Sequence, residues 1–157
     1  MPISYTVDIT NGVGATAITN AATVVAQGTN SASKPVRLKR IELQSNQTGS
    51  TQTVIPVQLG TYATGTSTAG VTPTPKAVDR GITTAASTAF RCLTATLGTT
   101  FTVIDAYQWN GANPFDMVFG LTEIQYEFAV SAVWAIIIPA ASGTPSLTGK
   151  LTFEEFG

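Results

Sequence analysis

Apolar and polar residues alternate along several short stretches of the chain, which is the pattern of strands that bury one face. In the first stretch, Ile3–Ile9, the isoleucines, Tyr5 and Val7 share a face, and the stretch ends at Asn11-Gly12, a strong turn signal. The same pattern predicts eight more strands, at Ala21–Gln27, Val36–Gln44, Thr53–Tyr62, Ala89–Leu97, Thr100–Tyr107, Ile124–Val130, Ala132–Ile138 and Leu147–Glu155.

Three of these strands carry a feature that bears on their place in a sheet. In Val36–Gln44 the apolar residues change phase at Lys39-Arg40, which indicates a β-bulge. Pro56 lies inside the fourth strand and has no N–H to donate, so that strand is predicted to be an edge or to bulge there. Ala132–Ile138 is apolar on both faces, which predicts a central strand or one pressed against another subunit.

Two connections are long and irregular. Gly65–Gly81 has no periodic pattern and includes Pro73 and Pro75. We expect it to be a surface excursion that acts as a contact element, with Thr72 beside the prolines. Trp109–Phe119 is predicted to be an irregular, aromatic-rich connection.

About nine short strands, no helix pattern and turns rich in Gly and Pro predict an all-β fold, a jelly-roll-like antiparallel β-sandwich. The 157 residues fit a single domain. Residues 1–34 are expected to form N-terminal strands or an arm that is a candidate partner contact, and residues 35–157 the sandwich core.

The composition is poor in charge: 43% of residues are hydrophobic and only 11% are charged, against about 25% in ordinary domains. We therefore expect part of the surface to be covered by a partner or by copies of the chain. The net charge is −1 with no stripe of Lys and Arg, so no nucleic-acid partner is expected. The apolar run Ala132–Ala141 is too short to span a bilayer, and Met1–Asn11 lacks a secretory pattern, so we expect no membrane partner and cytoplasmic synthesis.

Histidine is absent and Cys92 is the only cysteine, which excludes Ser-His and Cys-His catalysis, imidazole zinc sites and an internal disulfide. Glu154 and Glu155 are adjacent on a strand, so their side chains point to opposite faces. Asp105 is expected to form an ion pair with Arg91 on the preceding strand. We therefore expect no catalytic residue, no cofactor and no metal, and a chain that is not an enzyme.

The aromatic residues allow two interpretations. Trp109 and Phe115 are predicted to fasten their loop to its own domain or to a neighbouring subunit. Alternatively, Tyr107, Trp109 and Phe115 form a stacking surface for sugars. Trp134 lies in the apolar strand and is expected in the core, or in the contact if that strand meets another subunit.

Three segments together resemble one family. They read PVRLKRIELQS at Pro35–Ser45, TGTSTAGVTPTPKAVDRG at Thr64–Gly81 and LTGKLTFEEFG at Leu147–Gly157. The chain from Pro35 onward is similar to small structural proteins of tailed bacteriophages and prophages, in which a VRLKRIE strand precedes a TGTSTA loop and a final strand ends in FEE. One departure is Lys76-Ala-Val-Asp79, which replaces an acidic Pro-Leu-Asp pattern of that family.

The resemblance implies a virion protein, and we expect a head decoration (cement) protein on the capsid exterior, bound to the major capsid protein as a homotrimer. The alternatives are a tail-tube, baseplate or fibre-base subunit and a carbohydrate-binding module. Tail-tube proteins usually carry a long helix, which the sequence does not predict. The candidate protein-contact residues are Ile3, Tyr5, Val7, Thr72, Pro73, Pro75, Trp109, Phe115 and Trp134.

Overall fold

The computed structural model describes residues 1–10, 16–17, 23–46, 54–64, 70–94, 99–120, 125–139 and 146–157. These residues form twelve strands and no helix. The strands are β1 (Ile3–Asp8), β2 (Thr16–Ala17), β3 (Thr23–Thr29), β4 (Val36–Ser45), β5 (Val54–Thr64), β6 (Lys76–Ala77), β7 (Ala89–Thr94), β8 (Thr99–Asn110), β9 (Phe115–Val118), β10 (Tyr126–Phe128), β11 (Val133–Ile138) and β12 (Ser146–Glu155).

The strands form two antiparallel sheets that pack face to face. The seven-stranded sheet has the order β10-β4-β12-β1-β6, with β2 also beside β12 and β9 also beside β4. The five-stranded sheet has the order β7-β3-β11-β5-β8. Consecutive strands β3, β4 and β5 lie in alternate sheets, as in jelly rolls. The antiparallel β-sandwich predicted from the alternation pattern is confirmed.

Each of the nine predicted strands is present, and β2, β6 and β9 are additional short strands. The segment Trp109–Phe119 is more regular than predicted, because Trp109 and Asn110 end β8 and Phe115–Val118 pairs with β4. Some predictions fall outside the described residues: the turn at Asn11-Gly12, residues 21–22 and 95–97, Thr53, residues 65–69, Ile124 and residues 140–141.

The predicted irregularities differ in outcome. Between β4 and β12, Arg40 pairs with Thr152 and Leu38 with Phe153, which leaves Lys39 as the extra residue of the predicted bulge. The prediction for Pro56 is wrong, because β5 lies between β11 and β8 and its register shift comes later, between Leu59 and Gly60. Among the described residues β11 pairs only with residues 58–62 of β5, so the described neighbour of Pro56 is β8 alone, and its missing N–H is tolerated there.

Aromatic rings from both sheets meet in the core. The ring of Phe90 on β7 lies 4.9 Å from that of Phe153 on β12, and Trp134 stacks on Phe128 at 5.0 Å. Trp134 is completely buried on β11, the middle strand of its sheet. Of the two predictions for the apolar strand Ala132–Ile138, a central position is therefore the one observed. A Cβ atom at Gly28, opposite Trp134, would lie 2.4 Å from the indole, so only glycine fits there.

The described part of residues 1–34 belongs to both sheets. β1 lies between β12 and β6, and β3 lies between β7 and β11. The side chains of Val7 on β1 and Val25 on β3 belong to the same core cluster. These strands are therefore structural members of the sandwich and do not form a separate arm.

Candidate protein-contact site

The structure separates the candidate contact residues into two groups. Five lie in sheet strands and have side chains buried inside the chain's own core, at 8% exposure or less: Tyr5, Val7, Trp109, Phe115 and Trp134. These side chains are not available to a partner, because they lie on the inward faces of the two sheets. The others are Pro73, which is also buried, the half-buried Ile3 and Pro75, and the exposed Thr72.

Apart from Ile3, which lies on β1, the second group belongs to one segment, residues 70–88, which we call the strap. At its start, Val71 exchanges two backbone hydrogen bonds of 2.9 Å with Cys92 on β7, at the edge of the five-stranded sheet. Further on, Lys76 and Ala77 form β6, which pairs with β1 in the seven-stranded sheet. The strap therefore links an edge of one sheet to an edge of the other.

Glu155 fixes the end of the strap. Its carboxylate is 2% exposed and accepts hydrogen bonds from the backbone N–H groups of Ser87 (2.9 Å) and Thr88 (2.7 Å) and from both hydroxyls (2.9 and 2.7 Å). Lys34 Nζ lies 3.7 Å away. Burial raises the pKa of Glu155, but these hydrogen bonds outweigh it and hold the pKa below its ordinary value. Glu155 thus stays ionised and keeps the strap in place.

The middle of the strap is held on the β1 side. Val78 N donates to Ser4 O at 2.9 Å, and the Tyr5 hydroxyl donates to Thr84 O at 3.2 Å. Between these contacts Asp79 closes a turn, since its carboxylate accepts from Gly81 N at 2.8 Å. Sequence reasoning missed this role of Tyr5, whose ring is buried while its hydroxyl reaches the strap.

The residues between these contacts, Val78–Gly81, form an exposed strap apex. Val78 is 54% exposed, and Asp79, Arg80 and Gly81 are exposed as well. Arg80 forms no ion pair with any other residue that the structure describes. The apex combines an apolar side chain and a free cation on a backbone held at both ends, which is a suitable arrangement for contacting another protein.

A second polar cluster, the edge clasp of Asp105, Tyr107 and Tyr126, joins the open edges of the two sheets. Asp105 Oδ2 accepts from the Tyr107 hydroxyl at 2.8 Å and from the Tyr126 hydroxyl. These bonds, first that of Tyr126 and then that of Tyr107, hold the pKa of Asp105 below its ordinary value. Tyr107 belongs to β8 and Tyr126 to β10, so the clasp spans the sandwich.

The predicted ion pair between Asp105 and Arg91 is therefore wrong. Arg91 instead donates to the hydroxyl of Thr72 in the strap. The prediction assumed that β7 and β8 are neighbours because they are consecutive, but they lie at opposite edges of the five-stranded sheet.

The aromatic residues do not form an exposed platform. Trp109 is 3% exposed, its ring centroid lies 5.9 Å from that of Phe115, and its indole N–H donates to Asn113 O at 2.6 Å. This arrangement fastens the turn before β9 to its own domain. A sugar would need exposed ring faces to stack on, and Trp109 and Phe115 do not present them.

Charged side chains concentrate on the seven-stranded sheet, where they pair with one another. Arg40 binds Asp116 through two hydrogen bonds of 2.9 and 2.7 Å, and Arg37 binds Glu127. An open depression of about 390 Å³ on this sheet is lined by Asp8, Thr10, Glu42, Gln44, Thr148, Gly149 and Lys150. Lys150 lies between Asp8 and Glu42 in the strand register, so opposite charges alternate there.

The described residues contain no group of three or more His, Cys, Asp or Glu side chains placed to hold a metal ion. Burial raises the pKa of Cys92 to about 12, so its thiol is protonated at neutral pH and is a poor nucleophile. Among the described residues no helix is long and apolar enough to cross a membrane.

Comparisons of the chain with protein-family models, with curated proteins and with solved structures found no match.

Proposed function

We propose that this chain is a structural virion protein of a tailed bacteriophage, a capsid decoration protein that binds the major capsid protein on the outside of the head and stabilises contacts between its subunits. The strap apex is the part of the chain that would contact the capsid. The proposed assembly is a homotrimer, because capsid seams meet at threefold points.

One observation carries the proposal: two of the segments that resemble phage structural proteins, far apart in sequence, together build the strap. Gly70–Gly81 supplies its first part, and Glu155 in the C-terminal segment holds its end. The remaining segment contains β4 (Val36–Ser45), which pairs along its whole length with β12, the strand that carries Glu155. The resemblance thus covers one physical unit, whose exposed point is the anchored strap apex.

The alternatives have less support. The sugar-binding alternative required Trp109 and Phe115 on the surface, and both are buried. The tail-tube alternative usually includes a long helix, and the described residues form none. A tail position nevertheless remains a distinct outcome of the test below.

The proposal is tested by separating purified virions into heads and tails and quantifying the chain in each by mass spectrometry. We expect it in heads, at a fixed molar ratio to the major capsid protein. Its presence in tails alone would establish the tail alternative instead, and its absence from virions would overturn both.

The contact site is tested with heads that lack the chain, to which the purified protein is added. We expect Arg80→Glu to lower occupancy on the heads at least about tenfold, because a rim charge is reversed in a protein contact. Lys150→Glu is the matched control, since it makes the same charge change on the other side of β1. Equal occupancy for both variants would show that the apex is not the contact.

A further inference from the structure

The strand β8 forms a long open edge of the five-stranded sheet. It has twelve residues, Thr99–Asn110, and pairs with β5 from Thr99 to Asn110 on one side. On its other side no described strand pairs with it. Such an edge presents a row of backbone N–H and C=O groups, and their natural partner is another extended strand.

This edge has few of the side chains by which proteins usually prevent pairing; the exception is Asp105, whose Oδ1 accepts a hydrogen bond from Ala106 N at 2.8 Å. β8 contains no lysine and no proline, and Asp105, its one charged residue, is bound in the edge clasp. Thr102, Ala106 and Gln108 on the strand are exposed and uncharged.

A bulge in β8 exposes two apolar side chains in succession. Leu59 pairs with Asp105 and Gly60 with Val103, which leaves Ile104 as the extra residue. Val103 is consequently 45% exposed and Ile104 50% exposed, although neighbours in a regular strand point to opposite faces. Bulges protect edges in other proteins, but this one presents β-branched residues that pack well between strands.

The distribution of charge indicates which partner fits. Of the 17 charged residues of the chain, eleven lie in strands of the seven-stranded sheet and two, Arg91 and Asp105, in strands of the five-stranded sheet. An edge without a free charge pairs best with a strand that also lacks one. A charged side chain on the partner strand would lose its hydration in the contact and gain no opposite charge in return. The β8 edge of a second copy meets this condition.

We propose that two copies of this chain pair through β8, antiparallel about a two-fold axis near Val103 and Ile104, so that their five-stranded sheets form one ten-stranded sheet. In an isologous contact each copy offers the same patch, so Val103 and Ile104 of one copy pack against the same residues of the other. The contact does not depend on the proposed virion function, and it differs from the threefold contact expected of a cement protein.

Self-association is measured by analytical ultracentrifugation of the purified full chain. We expect reversible assembly through this contact, and we expect Val103→Lys to raise its dissociation constant at least about tenfold, because two like charges then meet at the axis. Val118→Lys is the matched control: Val118 is 53% exposed on β9 of the other sheet, and its replacement leaves the constant unchanged.

A second measurement locates the contact. Ile104→Cys is expected to cross-link two copies with a short bis-maleimide, whereas Val118→Cys does not, and the buried Cys92 serves as an unreactive background. A chain that stays monomeric from micromolar to millimolar concentration would overturn the proposal. An oligomer that is insensitive to Val103→Lys and does not cross-link at residue 104 would overturn it equally.

Discussion

Glu155 is a carboxylate that the fold buries and then satisfies with hydrogen bonds from Ser87 and Thr88. Glu155→Gln replaces an ionised acceptor by an amide whose NH₂ group faces backbone donors. We expect this change to lower the free energy of unfolding at pH 7 by about 2 to 3 kcal/mol. Urea unfolding followed by tryptophan fluorescence measures the loss.

The pH dependence separates this role from general damage. Because the pKa of Glu155 is lower in the folded than in the unfolded chain, its contribution is present above the ordinary pKa of 4.5 and is lost as the pH falls below it. The difference between wild type and Glu155→Gln should therefore shrink below pH 4.5. Glu154→Gln is the control, since Glu154 faces outward beside Arg37 at 3.6 Å and should cost under about 1 kcal/mol. A constant difference across pH would contradict the assignment.

Gln27 is a buried polar residue whose hydrogen bonds, unlike those of Glu155, are not satisfied. It is 1% exposed, and neither the oxygen nor the nitrogen of its amide has a hydrogen-bond partner among the described residues. Its strand neighbours are Ala135 and Arg91. Gln27→Met keeps the volume and removes the unsatisfied amide, so we expect it to stabilise the fold by about 1 kcal/mol. Thermal and urea unfolding check the sign. Destabilisation by the methionine would show that the amide is bonded in solution.

At the scale of the elements, the edge clasp links the two sheets, because the carboxylate of Asp105 accepts hydrogen bonds from a tyrosine of each sheet. Tyr126→Phe keeps the ring against Phe119, at 5.0 Å, and removes only the hydroxyl that bonds to Asp105. We expect it and Tyr107→Phe each to cost about 1 to 2 kcal/mol of unfolding free energy. Since both hydroxyls bond to the same oxygen, the double variant should lose less than the sum. Strict additivity in urea unfolding would contradict a shared clasp.

The positions of the strands could be predicted because burial of one face makes apolar residues recur at every second position. In Val36–Ser45 the break in this alternation also predicted the bulge at Lys39. β6 and β9 were missed because each pairs over few residues and is set by its neighbours, β1 and β4. Which strands are neighbours was not readable either, and the prediction for Asp105 failed because consecutive strands lie at opposite edges.

The proposed contact site was predictable only as a segment. The absence of periodicity identified Gly65–Gly81, and residues 70–81 of it are the first part of the strap. The strap apex could not be found, because the residues that anchor the strap on either side of it, Ser4 and Tyr5, come from a distant part of the chain. For Trp109 and Phe115 the sequence left two environments open, their own domain or a neighbouring subunit, and both side chains are buried in their own domain.

At the scale of the molecule, the two sheets have different surfaces. The seven-stranded sheet carries a network of ion pairs such as Arg40 with Asp116 and Glu42, whereas the five-stranded sheet has almost no charge and ends in the open β8 edge. The low overall charge is therefore distributed unevenly. Exposed ion pairs keep the seven-stranded sheet hydrated, whereas the strands of the five-stranded sheet carry only Arg91 and Asp105 as charged residues.

At alkaline pH the free energy of unfolding of the whole sandwich depends on the buried thiol of Cys92. Burial raises the pKa of the Cys92 thiol from 9.0 to about 12. Between these two pH values the folded chain keeps the thiol proton, whereas the unfolded chain releases it. This contribution is fully present below pH 9 and is lost as the pH rises toward 12, at about 1.4 kcal/mol per pH unit. Urea unfolding between pH 8 and 11 should show the decline. Cys92→Ala starts from a lower stability but lacks the thiol, so its decline must be shallower. Parallel slopes would mean that Cys92 is solvated in the folded chain, and the close packing of β7 against the core would then be wrong.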